Sequence, residues 1–458
     1  MVKIAKRPRK GRRFAEAPFH RGDRISSLAV TGYKSIMNRQ RIDIRPLTIL
    51  AGRNSSGKSS MMQPLLLMKQ TLESEVDPGA LRLDGPNVHF ILADQLFSHS
   101  PAKGTASKMT VEIGIDANRS ISTTFRRRRP RGVDLRSMTA KEGPRSVTLR
   151  LGMGRDDVRM SVPPEIRRAA PQHVLRRGDH HWAILRDRCF FEWSLYWMRG
   201  RKTRQYRWIY PFPAEMAASL VRGIIHVPGL RGNPELTYPV SAVGYTFPGT
   251  FEKYVASILN DWVATKSSSE LRDLRSDLRS LGLTWKIEPV PIRGNDVQTA
   301  IHVGRTLQPS QGGARDLVNI AHVGFGTSQA VPVIVALHAA EEGQLVYVEQ
   351  PEIHLHPKAQ EEMAGVLARA VERGVDVVVE THSHLLVLAI QTLVARRKLS
   401  PDKVAMHWFE QDKQGMTKVT SARITKHGRT PGWPDDFGPG LMSLQRRFLD
   451  ATQSRRRR

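Results

Sequence analysis

Gly52, Gly57, Lys58 and Ser59 stand in the order G-x-x-x-x-G-K-S, and each residue type has its own use against a phosphate chain. The glycines let backbone N–H groups turn inward, the lysine reaches the β- and γ-phosphates, and the serine hydroxyl binds Mg2+. Arg53, Asn54, Ser55, Ser56 and Ser60 complete a loop of the right length to line such a ligand. A second group lies in LVYVEQPEIHLHP, residues 345–357, where an apolar run meets Glu349, Gln350 and Glu352 and is followed by His354 and His356. A carboxylate at the mouth of a buried strand suits a metal site, a nucleotide site or simply the polar end of a strand. Glu352, His354 and His356 have the types of zinc ligands, but no matching second cluster and no H-E-x-x-H helix accompanies them. A phosphate loop does need a second acidic element to orient Mg2+ and its waters. Glu349 meets that need, with Ser59 as the other metal-side residue.

These residues need a scaffold. RIDIRPLTILAG reads as a strand running into the glycine-rich loop, and SSMMQPLLLMKQTL reads as the helix leaving it, kinked by Pro64. The LVYVE strand is expected beside the loop strand in a parallel sheet, delivering Glu349 to the carboxyl edge where such sheets bind ligands. VGFGTSQAVPVIVAL, some twenty residues before Glu349, is a Gly/Ser/Gln turn opening a helix, and VDVVVETHSHLL is another strand, ending at His382.

The order of phosphate loop, Gly-Ser-Gln turn, acidic strand end and strand-end histidine resembles the ABC-type ATPase heads of the SMC, RecF and OLD families. EQPEIHLHP and ETHSHLL are especially similar to OLD-like AAA ATPases of bacterial defence and repair loci, and VPGLRGNP, ending at Pro234, is similar more weakly. The resemblance covers residues 25–95 and 310–410. It implies an α/β fold, a P-loop NTPase of ABC-ATPase type, with a β-rich and mixed α/β insertion between the phosphate loop and the signature turn. It implies ATP and Mg2+ as cofactors and a homodimer or higher assembly, in which Gly326, Ser328 and Gln329 of one subunit cap the γ-phosphate held by Lys58 of the other. His382 becomes the switch histidine. Where such heads carry Asp-Glu, this chain has Glu349-Gln350, and glutamine orients a water without accepting its proton. Slow hydrolysis follows, with Glu352 as the alternative base. The coiled coil of SMC proteins and the nuclease domain of OLD enzymes are both missing from the pattern. The resemblance therefore points to a separately encoded effector, such as a nuclease, in anti-phage defence. The alternatives are a RecF-like repair ATPase and a nucleotide-gated scaffold with negligible hydrolysis.

Composition sets the wider frame. The chain of 458 residues carries 71 Lys+Arg against 43 Asp+Glu, a net charge of +28, which favours a polyanionic partner such as nucleic acid. An arginine-rich proteome explains the same excess without a partner. Cys189 is the single cysteine, so no intrachain disulfide forms, and no apolar segment approaches the ~20 residues of a membrane span. A cytoplasmic protein without membrane contact is expected. Residues 1–24 form a basic tail, 25–100 an N-terminal lobe with the phosphate loop, and 101–305 an insertion, first β-rich and then helical. Residues 306–427 form the C-terminal lobe, and 428–458 a turn-rich segment with a second basic tail. Within the insertion, Cys189, Phe191, Trp193, Leu195 and Trp197 share one face of a hairpin strand, with Arg199, Arg201, Lys202 and Arg204 at its tip. The aromatics suit either a core or a stacking surface for bases. Leu271, Leu274, Leu278 and Leu281 predict an amphipathic surface helix.

Overall fold

The computed structural model describes residues 22–101, 104–128, 132–170, 180–199, 202–207, 212–265, 268–308 and 316–432. Its centre is a six-stranded sheet in the order Ile225–Val227, Leu345–Glu349, Asp376–Thr381, Leu47–Gly52, Val404–Gln411, Thr417–Ala422. The first five strands are parallel and the last pairs antiparallel. Both faces of the sheet are covered, which is why its strands read as apolar runs and not as alternation. Leu50, Tyr347, Val378 and Phe409 point into one core with the P-loop helix Lys58–Leu72. Ile49, Val346, Val348, Val377 and Val379 point into another, against the helices Phe325–Ala339, Pro357–Glu372 and His384–Ala395. The fold is α/β, with the strand–loop–helix arrangement of a P-loop NTPase at Leu47–Gly52 and Lys58–Leu72.

Two expectations change at this level. The acidic strand Leu345–Glu349 does not lie beside the loop strand. Asp376–Thr381 stands between them, in a register that aligns Glu349, Glu380 and Leu50. The boundary expected at residue 100 is crossed by a second, antiparallel sheet. It joins Gln40–Asp43 and Ser27–Thr31 to Lys108–Gly114, Arg119–Arg127, Val133–Glu142 and Arg145–Leu149. The β-rich part of the insertion thus extends the N-terminal lobe, because Ser27–Thr31 would otherwise leave an edge unpaired. Ile225–Val227, also inside the expected insertion, is an edge strand of the central sheet.

The hairpin forms from Phe190–Arg199 and Lys202–Arg207. Cys189, Phe191, Trp193 and Leu195 are buried in the first core, so these aromatics pack and are not open to bases. The residues at the very tip, 200 and 201, lie outside the described residues, as do the basic tails at 1–21 and 433–458. Leu271, Leu274, Leu278 and Leu281 are buried as their spacing predicts. Beneath them Asp277 takes hydrogen bonds from Arg369 and pairs with His338, tying three helices together. Among the described residues, no helix is long and apolar enough to cross a membrane.

Candidate nucleotide-binding site

The site gathers at the carboxyl edge of the central sheet, where five parallel strands end side by side. Gly52 and Gly57 have positive φ (153° and 99°). A Cβ at Gly52 would meet the Phe409 carbonyl oxygen at 2.3 Å, and one at Gly57 would meet Thr417 Oγ1 at 2.0 Å. Neither position has room for a side chain, so the loop wraps tightly against the strands that carry Phe409 and Thr417. Gln411 Nε2 and Thr417 Oγ1 hold it there by donating to the carbonyls of Ser55 and Ser56. Arg53, Asn54 and Ser55 are exposed on the rim. The N-terminus of the helix Lys58–Leu72 carries no side-chain cap, which leaves its first N–H groups to an anion.

Lys58 is buried and its ammonium donates to the carbonyls of Gly52 (3.1 Å) and Arg53 (2.8 Å). Burial lowers its pKa, opposed by the charges of Glu380 and Glu352. A cation parked on its own loop carbonyls, beside uncapped helix N–H groups, fits the phosphates of a nucleotide.

The carboxylate at Ser59 is Glu380, not Glu349. Ser59 Oγ donates to Glu380 Oε1 at 2.9 Å, and Tyr347 OH donates to Glu380 Oε2 at 2.8 Å. Glu349 turns the other way: His226 Nε2 lies 3.2 Å from its Oε1, and the Gly229 N–H donates to its Oε2 at 3.1 Å. The cause is strand order, since Glu380 lies one strand spacing, roughly 4.8 Å, from the loop strand and Glu349 two. Burial and the charge of Glu349 raise the pKa of Glu380, against the donors Tyr347 and Ser59. For Glu349 burial pushes upward too, but His226, Gly229 and Tyr347 bring the net value below the usual range. Tyr347 stays protonated, since burial and both carboxylates raise its pKa far up. The donor set of Ser59 and a buried carboxylate suits Mg2+, a hard cation that takes oxygen ligands.

Glu352 is held by the turn at Thr381, His382 and Ser383, the switch turn of the expected pattern. Its Oε1 accepts from Thr381 Oγ1 (2.7 Å) and from the N–H groups of His382 (2.9 Å) and Ser383 (3.2 Å). His382 is half-buried, and burial followed by the Lys58 charge lowers its pKa, which favours the neutral ring near the phosphate cradle. Gln350 adopts a left-handed backbone (φ 47°), with its N–H on the Glu380 carbonyl at 2.7 Å. The zinc-type residues go three ways: Glu352 into the switch turn, His354 against Phe325, and His356 onto the N–H of Lys358 as a helix cap.

The signature turn is tucked further in than its motif suggests. Ser328 and Gln329 are buried, with Ser328 Oγ on the Phe325 carbonyl and Gln329 Nε2 on the Gly232 carbonyl. The solvent-facing residues are Gly324 and Phe325, at the N-terminus of the helix. Gly326 passes close to the His354 carbonyl, where an added Cβ would lie at 2.9 Å.

Glu380, Tyr347, His226 and Arg231 complete the site and were not singled out by sequence. The signal for Glu380 was present in ETHSHLL, one strand-end acid before the histidine, but only strand order reveals which acid meets Ser59. Arg231 had a weaker signal in VPGLRGNP.

Comparison with known proteins adds the following. Residues 264–389 match the family model "AAA domain, putative AbiEii toxin, Type IV TA system". Residues 399–437 match a family described as a protein of unknown function. No curated protein matches the chain. Among solved structures, the SMC head bound to the C-winged helix domain of ScpA is 11% identical, with a TM-score of 0.49, covering 88% of this chain and 98% of its own. The SMC head domain from Thermotoga maritima is 10% identical, with a TM-score of 0.40, covering 88% and 100%. The SMC head of Pyrococcus furiosus with an extended coiled coil is 10% identical, with a TM-score of 0.46, covering 88% and 97%. The AAA-domain match spans the Gly-Ser-Gln turn, the acidic strand and His382, and the Lys58 cradle stands beside them on the same sheet.

Proposed function

We propose that the protein binds and slowly hydrolyses ATP with Mg2+, and that nucleotide brings two copies together. The observation that carries this reading is the buried Lys58 ammonium, held on loop carbonyls beside a Ser59 hydroxyl already bonded to Glu380. Lys58 would trade those carbonyls for phosphate oxygens, and Mg2+ when bound would neutralise charge between phosphates. Ser59 and Glu380 hold the metal side, and Glu349 acts behind them through Tyr347, whose hydroxyl lies between both acids. Gln350 takes the place of the water-orienting residue and cannot accept the proton. Glu352 Oε1 is committed to three donors, which leaves only the buried Oε2 to take a proton. These two facts favour slow turnover, and they also keep alive the reading of a nucleotide-gated scaffold.

The exposed helix end at Gly324 and Phe325, with Gly326, Ser328 and Gln329 behind it, is the surface we assign to the nucleotide of a second copy. The excess of basic residues supports contact with nucleic acid. The resemblance to defence-locus ATPases and the toxin-system description of the matched family support control of a separately encoded effector in the cytoplasm. The direct test is calorimetry with ATP and Mg2+ on the full chain. Lys58→Ala should weaken binding at least about 100-fold, since each charge-assisted hydrogen bond contributes roughly 1.5–3 kcal/mol. Equal affinity in wild type and variant would remove the nucleotide assignment.

A further inference from the structure

Two buried polar groups next to the site are left unsatisfied, and they are chemically complementary. Arg231 is only 7% exposed. Its Nη2 donates to the carbonyls of Glu349 (2.6 Å) and Gln350 (3.2 Å), while Nε and Nη1 are buried without an acceptor. Glu352 is equally enclosed, and its Oε2 is buried without a donor. Leaving a buried donor or acceptor unmade costs about 1–3 kcal/mol, and more for a charged group, so such atoms call for a reason. Here two nitrogens of the cation lack acceptors and one oxygen of the carboxylate lacks a donor.

The two residues belong to elements with different tasks. Arg231 lies in the loop 228–234, which touches the acidic strand end at three places: the Gly229 N–H on the Glu349 carboxylate, and Nη2 on the two carbonyls. The next residue, Gly232, accepts from Gln329 of the signature helix. Glu352 grips the switch turn through Thr381, His382 and Ser383. One link is open between these parts, and Glu352 is also the neighbour whose charge most supports the Arg231 cation against a burial that lowers its pKa to about 10. A guanidinium can keep its carbonyl contacts while offering Nε or Nη1 to a carboxylate, because its fork carries five donors.

We propose that Arg231 is a positioning residue: in the nucleotide-loaded state one of its free N–H groups, at Nε or Nη1, pairs with Glu352 Oε2 and braces the switch turn against the Gln350 turn. Closure fixes His382 and Gln350 relative to each other. It also passes that state through Gly232 to Gln329, so that the site in one copy governs the signature turn the same copy offers its partner. Glu352 is then a brace and not a base. This rests on the ATPase reading above.

The test is a double-mutant cycle on the full chain with Arg231→Gln, Glu352→Gln and the combination. It is read as melting temperature with and without a non-hydrolysable ATP analogue and Mg2+, and as kcat and KM for phosphate release. Each single change should lower kcat by about 10–100-fold, the usual range for supporting residues, with KM within about threefold by the same principle of unchanged binding contacts. The double variant should be no worse than the poorer single, and coupling in melting temperature should appear only with the analogue. Arg231→Lys, which keeps the charge but lacks the fork, should fold and still lose kcat. This variant carries the test if Arg231→Gln does not fold. Additive losses, or coupling of the same size without nucleotide, would show that Arg231 only anchors the Gln350 turn and would overturn the pairing. A wild type that binds no ATP would overturn both this inference and the ATPase reading, whereas ATP binding without coupling overturns the pairing alone.

Discussion

Gln350 concentrates the chemical question at the scale of a single residue. Its left-handed backbone turns the chain immediately after the acidic strand, and its N–H is fixed to the Glu380 carbonyl. If its amide orients water without taking the proton, Gln350→Glu should raise the rate of phosphate release. A general base contributes about 10²–10⁴-fold, and a gain near the lower end is expected because the turn was not built for a charge. An unchanged or lower rate in a variant that still binds ATP would mean that Gln350 does not face the reacting centre. Lys58, Ser59 and the loop glycines were legible in the sequence, since one short motif fixes both their spacing and their roles. Glu380 and Arg231 were not, because their importance arises only when residues 321 and 119 positions away along the chain arrive beside Ser59 and Gln350.

Strand order decides at the scale of elements. A buried parallel sheet makes every central strand an apolar run, so the sequence shows that Leu345–Glu349 and Asp376–Thr381 are strands without showing which one lies next to Leu47–Gly52. The same holds for Ile225–Val227, too short to stand out, and for Lys108–Gly114, whose partner Ser27–Thr31 lies far back in the chain. The helix of Leu271, Leu274 and Leu278 was plain because its signal is local. The strand that carries Glu380 also carries an acid at its start. Asp376 is almost fully buried, and burial raises its pKa to about 6, with Arg24 opposing. A carboxyl whose folded pKa exceeds its unfolded value contributes stability below the unfolded value and loses it as pH rises through the folded one. Stability should therefore fall between about pH 4 and pH 6 by roughly 2–3 kcal/mol from this group. Asp376→Asn should flatten that window in thermal or urea unfolding and leave the variant more stable at pH 7. A variant with the same pH profile as wild type would show that Arg24 fully offsets the burial.

At the scale of the whole molecule, the Lys58 cradle is built from strand ends of one copy, and we assign the exposed helix end at Gly324 and Phe325 to the nucleotide of a second copy. Replacing Phe325, 52% exposed, with Glu should leave ATP binding intact and prevent nucleotide-dependent dimers in sedimentation, because charge is depleted at the core of such interfaces. Dimers that persist with ATP in this variant would place the contact elsewhere. The central claim is that Mg2+ and ATP meet at Ser59 and Glu380, with Glu349 behind them. It is tested most directly by the Mg2+ dependence of ATP affinity in wild type, Glu380→Gln and Glu349→Gln, measured by calorimetry at one pH. Glu380→Gln should lose most of the Mg2+-dependent gain and Glu349→Gln should lose less, about 10-fold or so as for a supporting residue. A Mg2+ dependence intact in Glu380→Gln and abolished in Glu349→Gln would contradict the account.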